Sequence, residues 1–367
     1  MINLKRKLIL EDGKIFEGEA FGASVNTAGT VIFHTGMTGY QEVFTDPAYC
    51  EHIVVMTSPT LGVYGLNRED LEAFTPFVSG VIAKEVAKEP SNFRSEASID
   101  WYLNKYHIPG IQGIDTRMLT TYLRKHGVMK GYIVDNNVQT IEEARQLVMK
   151  DDTPVVQRTS KTRPYIVPGN GKRIVAIDLG LKQSMLRELM DRDFHIIVVP
   201  YHYTAEEVLQ YRPEGVFISS GPGNAEEVTE TIQTVKDLLG KVPILGTGLG
   251  HQILALAYGG KIKKLKVSQY GNHFPVKDLT KDKTWMTTKS SSFTVDEDSL
   301  QNLDVSITFR SLNEGLIEGM SHRKHPAISV QFHPEGAPGS NETTYVFDQF
   351  LELIENNIQK NGGFINA

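Results

Sequence analysis

Pro243-Ile244-Leu245-Gly246-Thr247-Gly248-Leu249-Gly250-His251-Gln252-Ile253-Leu254-Ala255-Leu256-Ala257 reads as a strand, a tight glycine turn and the start of an apolar helix. In hydrolases such a unit is a nucleophile elbow, in which a strained turn residue holds its side chain clear of the sheet beside backbone N–H groups that stabilise an oxyanion. The residue at this apex is Gly248, which has no side chain to attack with. Gly246-x-Gly248 ahead of a helix also fits a dinucleotide fingerprint, but that motif needs an acidic residue about 20 positions later to hold a ribose. None stands around Val267 to Tyr270. A plain strand-to-helix turn, with glycine answering an unusual φ, is the third reading.

Working outward, the residues before the elbow keep one rhythm. Ile174 to Ile177 is a compact apolar run, Lys182 to Asp191 has helical spacing, Ile196 to Val199 is apolar, Ala205 to Gln210 is helical, and Gly215 to Ile218 is apolar again. Short apolar strands alternating with helices predict a parallel sheet covered on both faces, with ligands bound at the carboxyl ends of its strands. Two of those ends are glycine-rich: Ser219-Ser220-Gly221-Pro222-Gly223-Asn224 and the elbow itself. After the elbow, Ala327-Ile328-Ser329-Val330-Gln331-Phe332-His333-Pro334-Glu335 is a strand that delivers a histidine and, two residues later, a glutamate. A carboxylate beside an imidazole fixes its tautomer and favours its protonated form, which makes an oriented general base. Alone, His-Pro-Glu reads first as a loop at a strand end; an elbow in the same domain reverses that reading.

The first part of the chain is β-rich: Leu8 to Leu10, a Glu11-Asp12-Gly13 hairpin turn, Val31 to His34 and Ile53 to Thr57. Asp115 is the expected N-cap of a helix that runs through Arg124 and stops near Gly127. Between Asp151 and Arg173 the Pro, Thr, Lys, Arg and Gly residues sustain neither period, which predicts a linker. The expected organisation is therefore a domain over 1–150, a linker over 151–172 and a domain over 173–367. With 38 Lys+Arg against 44 Asp+Glu the net charge is −6, so no positive field holds nucleic acid. No apolar run approaches the roughly 20 residues of a bilayer span, and no signal-peptide core follows Met1, so no membrane and a cytoplasmic location are expected. Cys50 is the one cysteine, which excludes an intrachain disulfide and a thiolate cluster. His107, His126 and His325 lack the spacing of a metal set, so no metal is expected. The lysines of Lys261 to Lys266 alternate with aliphatic residues, as on a solvated strand face.

Together these residues resemble the small, glutamine-hydrolysing subunits of carbamoyl phosphate synthetase, a branch of the class I glutamine amidotransferases. In the first domain the likeness rests on Leu10-Glu11-Asp12-Gly13, Thr35-Gly36-Met37-Thr38-Gly39-Tyr40-Gln41-Glu42, Thr45-Asp46-Pro47 and Gly113-Ile114-Asp115-Thr116-Arg117. In the second, the Ser219 to Gly223 loop, the elbow and His333-Pro334-Glu335 are the class-wide signature. The resemblance implies an α/β fold: a β-rich N-terminal small-subunit domain, then a doubly wound amidotransferase domain. It also implies an elbow cysteine that attacks the glutamine amide, with His333 as base and Glu335 orienting it. Ammonia would pass to a large subunit that binds ATP and makes carbamoyl phosphate from bicarbonate for arginine or pyrimidine synthesis; no cofactor is implied in this chain. Glutamine-binding positions carry over to Ala48, Gly221, Gly223, Leu249, Gln252, Ser290, Ser292 and Phe293.

The departures are as specific as the matches. Gly248 stands where the family has cysteine, Ala48 where it has serine, Ser290-Ser291-Ser292-Phe293 where it has Asn-His-Gly-Phe, and Ser268-Gln269-Tyr270 in a stretch that is rich in His and Gly. Loss of a covalent nucleophile costs several orders of magnitude in rate, so impaired glutamine hydrolysis and weak or lost glutamine binding are expected. A glycine apex is also expected to relieve strain and free the turn from its catalytic geometry. Three functions compete: a subunit that supports the large subunit with ammonia from solution, an active amidotransferase with an unusual nucleophile such as Cys50, and a glutamine-sensing regulatory protein.

Overall fold

A computed structural model describes residues 5–148 and 153–362. The chain divides into two compact units, Met1–Asp152 with Lys266–Gly271, and Thr153–Leu265 with Asn272–Ala367. The six residues Lys266–Gly271, inside the 173–367 stretch, thus group with the first unit.

In the first unit seven strands close a barrel: β1 (Lys5–Leu10), β2 (Ile15–Gly22), β3 (Thr27–His34), β4 (His52–Met56), β5 (Gly80–Ile82), β6 (Pro109–Gln112) and β7 (Met129–Asp135), in the order β1-β2-β6-β5-β4-β3-β7 with β7 returning to β1. The Asp12-Gly13 turn joins β1 to β2 with Ile9 opposite Ile15 and Gly13 at φ 84°. Leu8, Val31, Ile53, Ile82, Ile111 and Ile133 pack into one buried cluster. Gly131 is needed there because a Cβ would lie 2.4 Å from Val31 Cγ2. The helix Thr116–His126 begins as its sequence dictates: Met118 N–H donates to Asp115 Oδ1 at 2.9 Å, Leu119 and Leu123 face the core, and Gly127 ends it at φ 90°.

The second unit is built on a ten-stranded sheet. Its strands are β8 (Tyr165–Val167), β9 (Arg173–Asp178), β10 (His195–Pro200), β11 (Gly215–Ile218), β12 (Ile244–Thr247), β13 (Ile262–Asp278), β14 (Lys283–Val295), β15 (Val305–Ser311), β16 (Ile317–His322) and β17 (Ala327–Val330). Their order is β14-β13-β15-β16-β17-β12-β11-β9-β10-β8. The central five, β10-β9-β11-β12-β17, run parallel. Along β9, Val175 and Ile177 enter one core cluster while Ile174 and Ala176 enter another. That alternation is what a sheet covered on both faces requires of a continuous apolar run. The strands read as parallel are so, and beyond them β8, β16, β15 and β13 are antiparallel to their neighbours. A correction concerns 151–172, where Val155–Thr159 is helical and Tyr165–Val167 pairs with β10, Ile166 opposite Ile197. An edge strand takes its order from the strand it docks on, which no local period reveals; positions 151 and 152 lie outside the described residues. No described helix is long and apolar enough to cross a membrane.

Asp115→Ala, which removes the cap of Thr116–His126, is expected to cost about 1 kcal/mol in the urea unfolding of the full chain.

Candidate active site

The elbow is fixed by backbone contact on three sides. A Cβ at Gly246 would stand 2.6 Å from the Gly250 carbonyl oxygen, and one at Gly250 would stand 2.4 Å from that of Ile218, so strand and helix meet with no side chain between them. Between β12 and the helix Leu249–Ala257, Gly248 sits at φ 55° and ψ −112°. Its N–H donates to Val330 O at 2.9 Å, Gly250 N–H donates to Ser219 O at 3.2 Å, and Gln331 Nε2 donates to Gly248 O at 3.5 Å. The turn therefore holds its apex at positive φ, a conformation strained for other residues and open to glycine. The expectation that glycine frees it is corrected: these bonds come from the neighbouring backbone and the Gln331 side chain and do not depend on a side chain at the apex. Leu249, as the first residue of the helix, has no intrahelical acceptor for its N–H. Gly221 lies so close to the Leu179 carbonyl that a Cβ would stand 2.3 Å from its oxygen.

His333 emerges beyond β17, its N–H bonded to Thr288 O on β14 at 2.9 Å. Its Nδ1 lies 3.1 Å from Glu335 Oε1, and the same oxygen accepts from Lys182 Nζ at 2.9 Å. All three side chains are buried. Burial alone pushes the Glu335 carboxyl up, but the Lys182 ammonium and His333 outweigh it and hold it at about 2. Glu335 is thus a carboxylate at neutral pH. It accepts a hydrogen bond from Nδ1–H of His333, which leaves Nε2 as the acceptor nitrogen of the ring.

Lys182 was not singled out in the sequence. It is delivered by a turn at the end of β9, where buried Asp178 accepts the N–H groups of Lys161, Gly180 and Leu181 at 2.7, 2.9 and 2.8 Å. Its ammonium also donates to Ala337 O at 2.5 Å. The available signal was its place at the carboxyl end of a parallel strand, where a charged residue is positioned for a ligand or its machinery.

The positions carried over for glutamine divide. Gln252 Nε2 donates to Ser291 Oγ at 3.0 Å, Phe293 O at 3.3 Å and Gln331 Oε1 at 3.0 Å, which ties the elbow helix to β14 and to the end of β17. The Gln252 Oε1 and Ser290 Oγ atoms are buried without a partner among the described residues. Ser292 is half-buried on β14, and Gly223 follows β11 at φ 87°. Ala48 lies in the first unit, buried in the short turn Pro47–Tyr49, with its N–H on Asp46 Oδ1 at 2.8 Å. Tyr270 also groups with that unit, its hydroxyl 3.2 Å from His52 Nε2. Cys50 is buried there, as a small hydrophobe would be. His251, on the elbow helix, bonds Ser329 Oγ through Nδ1 at 2.9 Å, and burial lowers its pKa to about 3. A second buried ion pair joins Lys289 of β14 to Glu318 of β16. No described cluster of His, Cys, Asp and Glu has the makings of a metal site.

Two predictions arise from these charges. Lys182→Met strands a buried carboxylate and is expected to cost about 3 kcal/mol in urea unfolding, with part of the loss recovered in Lys182→Met/Glu335→Gln. The second concerns His251, which stays neutral when folded but titrates near 6.5 when unfolded. Its contribution is complete above about pH 6.5 and is lost as pH falls toward 3, at up to about 1.4 kcal/mol per unit. Urea midpoints measured from pH 7.5 to 5.5 are expected to fall less steeply in His251→Asn than in the parent.

Residues 8–133 match the family model described as carbamoyl-phosphate synthase small chain, CPSase domain, and residues 175–353 match that of glutamine amidotransferase class-I. The carbamoyl phosphate synthase small chain of Oceanobacillus iheyensis is 48% identical over 366 residues, spanning 99% of this chain and 100% of its own. The pyrimidine-specific small chains of Halalkalibacterium halodurans and Bacillus subtilis are 46% and 45% identical, each spanning 96% of this chain and 98% and 96% of their own. A solved glutamine amidotransferase of Thermotoga maritima aligns with 53% of this chain and 86% of its own, at 19% identity and a TM-score of 0.37. The chain belongs to the carbamoyl phosphate synthase small-chain family, with an N-terminal CPSase domain followed by a class I glutamine amidotransferase domain.

Proposed function

We propose that this chain is a cytoplasmic small subunit of carbamoyl phosphate synthase whose own glutamine hydrolysis is lost or strongly reduced. It supports a large subunit that uses ATP, bicarbonate and ammonia taken from solution. The observation that carries the reading is the elbow apex: Gly248 stands at φ 55° and ψ −112° between strand and helix and offers no side chain to attack with. His333 still has Glu335 and Lys182 behind it, so a water could be activated at Nε2. Without the covalent step, catalysis falls to the residual ~10³ to 10⁴ over water that binding and backbone donors supply elsewhere. Cys50, buried in the first unit, is read as a small hydrophobe and not as a substitute nucleophile. The names of two relatives favour the pyrimidine pathway.

The test combines the purified chain with a carbamoyl phosphate synthase large subunit and compares carbamoyl phosphate formation from glutamine and from ammonium. Ammonium is expected to support turnover, with the glutamine-dependent rate at least ~10³-fold lower. Comparable rates, or an acyl adduct trapped on this chain during turnover, would overturn the proposal.

A further inference from the structure

Pro168-Gly169-Asn170-Gly171-Lys172, the connection from β8 to β9, has no part in the elbow. It lies backbone against backbone on the turn before β10. A Cβ at Gly169 would stand 2.3 Å from Phe194 O, and one at Gly171 would stand 2.6 Å from Asp193 O. Gly171 N–H donates to Asp193 O at 2.7 Å, Asn170 N–H to Asp193 Oδ1 at 3.0 Å, and His195 N–H to Lys172 O at 2.9 Å. The loop so held forms one wall of a cleft of about 410 Å³, and Arg173, His195, Arg212 and Glu214 form the others. These residues stand at the amino ends of β9, β10 and β11, whereas the elbow follows the carboxyl end of β12. Cleft and elbow thus occupy opposite edges of the parallel sheet.

The cleft offers cationic and polar donors and little to receive them. Arg173 pairs with His195 in the parallel register, which puts both side chains on one face of the sheet. The Arg173 guanidinium meets a single acceptor, Tyr211 O at 3.3 Å. Among the described residues no hydrogen bond or ion pair engages the Arg212 guanidinium or the His195 ring. Glu214, the one carboxylate lining the cleft, is already used: Oε1 accepts from Lys172 Nζ at 3.3 Å and Oε2 from Arg173 N–H at 2.8 Å. Two non-glycine residues at positive φ, Asp193 at 60° and Arg212 at 50°, belong to this corner. Such backbone is costly unless its surroundings impose it, and it gathers where a side chain has to be aimed.

We propose that this cleft is a phosphate-binding site, separate from the elbow, that takes a small phosphorylated metabolite on Arg173, Arg212 and His195. One guanidinium fork in its own plane satisfies a carboxylate, whereas a tetrahedral phosphoryl group has oxygens for two guanidiniums and an imidazole at once. The cleft is larger than a lone phosphate needs and falls within the ~300–1,000 Å³ of small-molecule sites.

The test measures binding of inorganic pyrophosphate and of citrate, two anions of similar charge, to the full chain by isothermal titration calorimetry. Pyrophosphate is expected to bind at one site, at least ~10-fold more tightly than citrate. Arg173→Ala/Arg212→Ala is expected to weaken pyrophosphate binding ~10-fold or more, and Arg117→Ala, which removes an exposed arginine of the first unit, to leave it within about twofold. If the double variant does not fold, Arg212→Ala alone decides, because its guanidinium supports nothing else: a loss of ~3-fold or more supports the assignment and no loss overturns it. Absence of saturable pyrophosphate binding, an equal loss in Arg117→Ala, or citrate binding as tight as pyrophosphate would also overturn it. The readout is binding, so the outcome is independent of whether the chain hydrolyses glutamine.

Discussion

The second unit depends on a place where three backbones meet without side chains between them. β12 and the following helix touch through Gly246 and Gly250, Gly250 bears on the end of β11, and β17 accepts the Gly248 N–H. Such contacts are set by the parallel register of the strands, in which Ile218 faces Gly246 and Gly246 faces Ser329. The elbow is therefore a property of the sheet, and the residue at its apex is the one part that register does not specify. This explains how the turn holds φ 55° at Gly248: glycine removes the strain of that conformation, and the neighbouring hydrogen bonds still impose it.

The buried charges near the elbow are held for a different physical reason. Lys182, Glu335 and His333 are buried together, and charges in that setting are costly to hold and costlier to separate. Every single replacement from this state is uphill: loss of Lys182 strands a carboxylate, and loss of Glu335 strands an ammonium that also donates to Ala337 O. The trio is thus locked in by desolvation whether or not it performs chemistry. A nucleophile at the apex carries no comparable lock, since replacing it with glycine removes one side chain from a strained turn and leaves no buried charge unpaired.

What could be read from the sequence follows the range of the forces involved. The strands β9 to β12 were legible because burial on both faces demands unbroken apolar runs, and Thr116–His126 because Asp115 and Gly127 mark its ends locally. The elbow and His333-Pro334-Glu335 were legible because unusual backbone and paired acid–base groups need particular residues. Barrel closure was not, since β5 and β6 are three and four residues long and take their order from the strands they bridge. The β8 edge strand was hidden for the same reason, and so was the antiparallel extension through β13, whose burial pattern has no steady period. Lys182 was missed because a lysine in an amphipathic stretch normally lies in solvent. The distant Glu335 and the Ala337 carbonyl, brought in by sheet order, make its burial sustainable.

Position 248 and Gln252 are each hemmed in by their neighbours, one sterically and the other through hydrogen bonds. At the apex, Ser220 Cβ sits against the volume a side chain at 248 would need. At Gln252, the amide has two hydrogens and three acceptors already around them: Ser291 Oγ, Phe293 O and Gln331 Oε1. No amide hydrogen is left to offer a ligand, and the remaining Oε1 is buried without a partner, a state that costs about 1–3 kcal/mol in other proteins. Ser291, which falls in the stretch that departs from the family pattern, supplies one of those acceptors. The pocket is thus knit to itself by contacts that a bound substrate would have to displace.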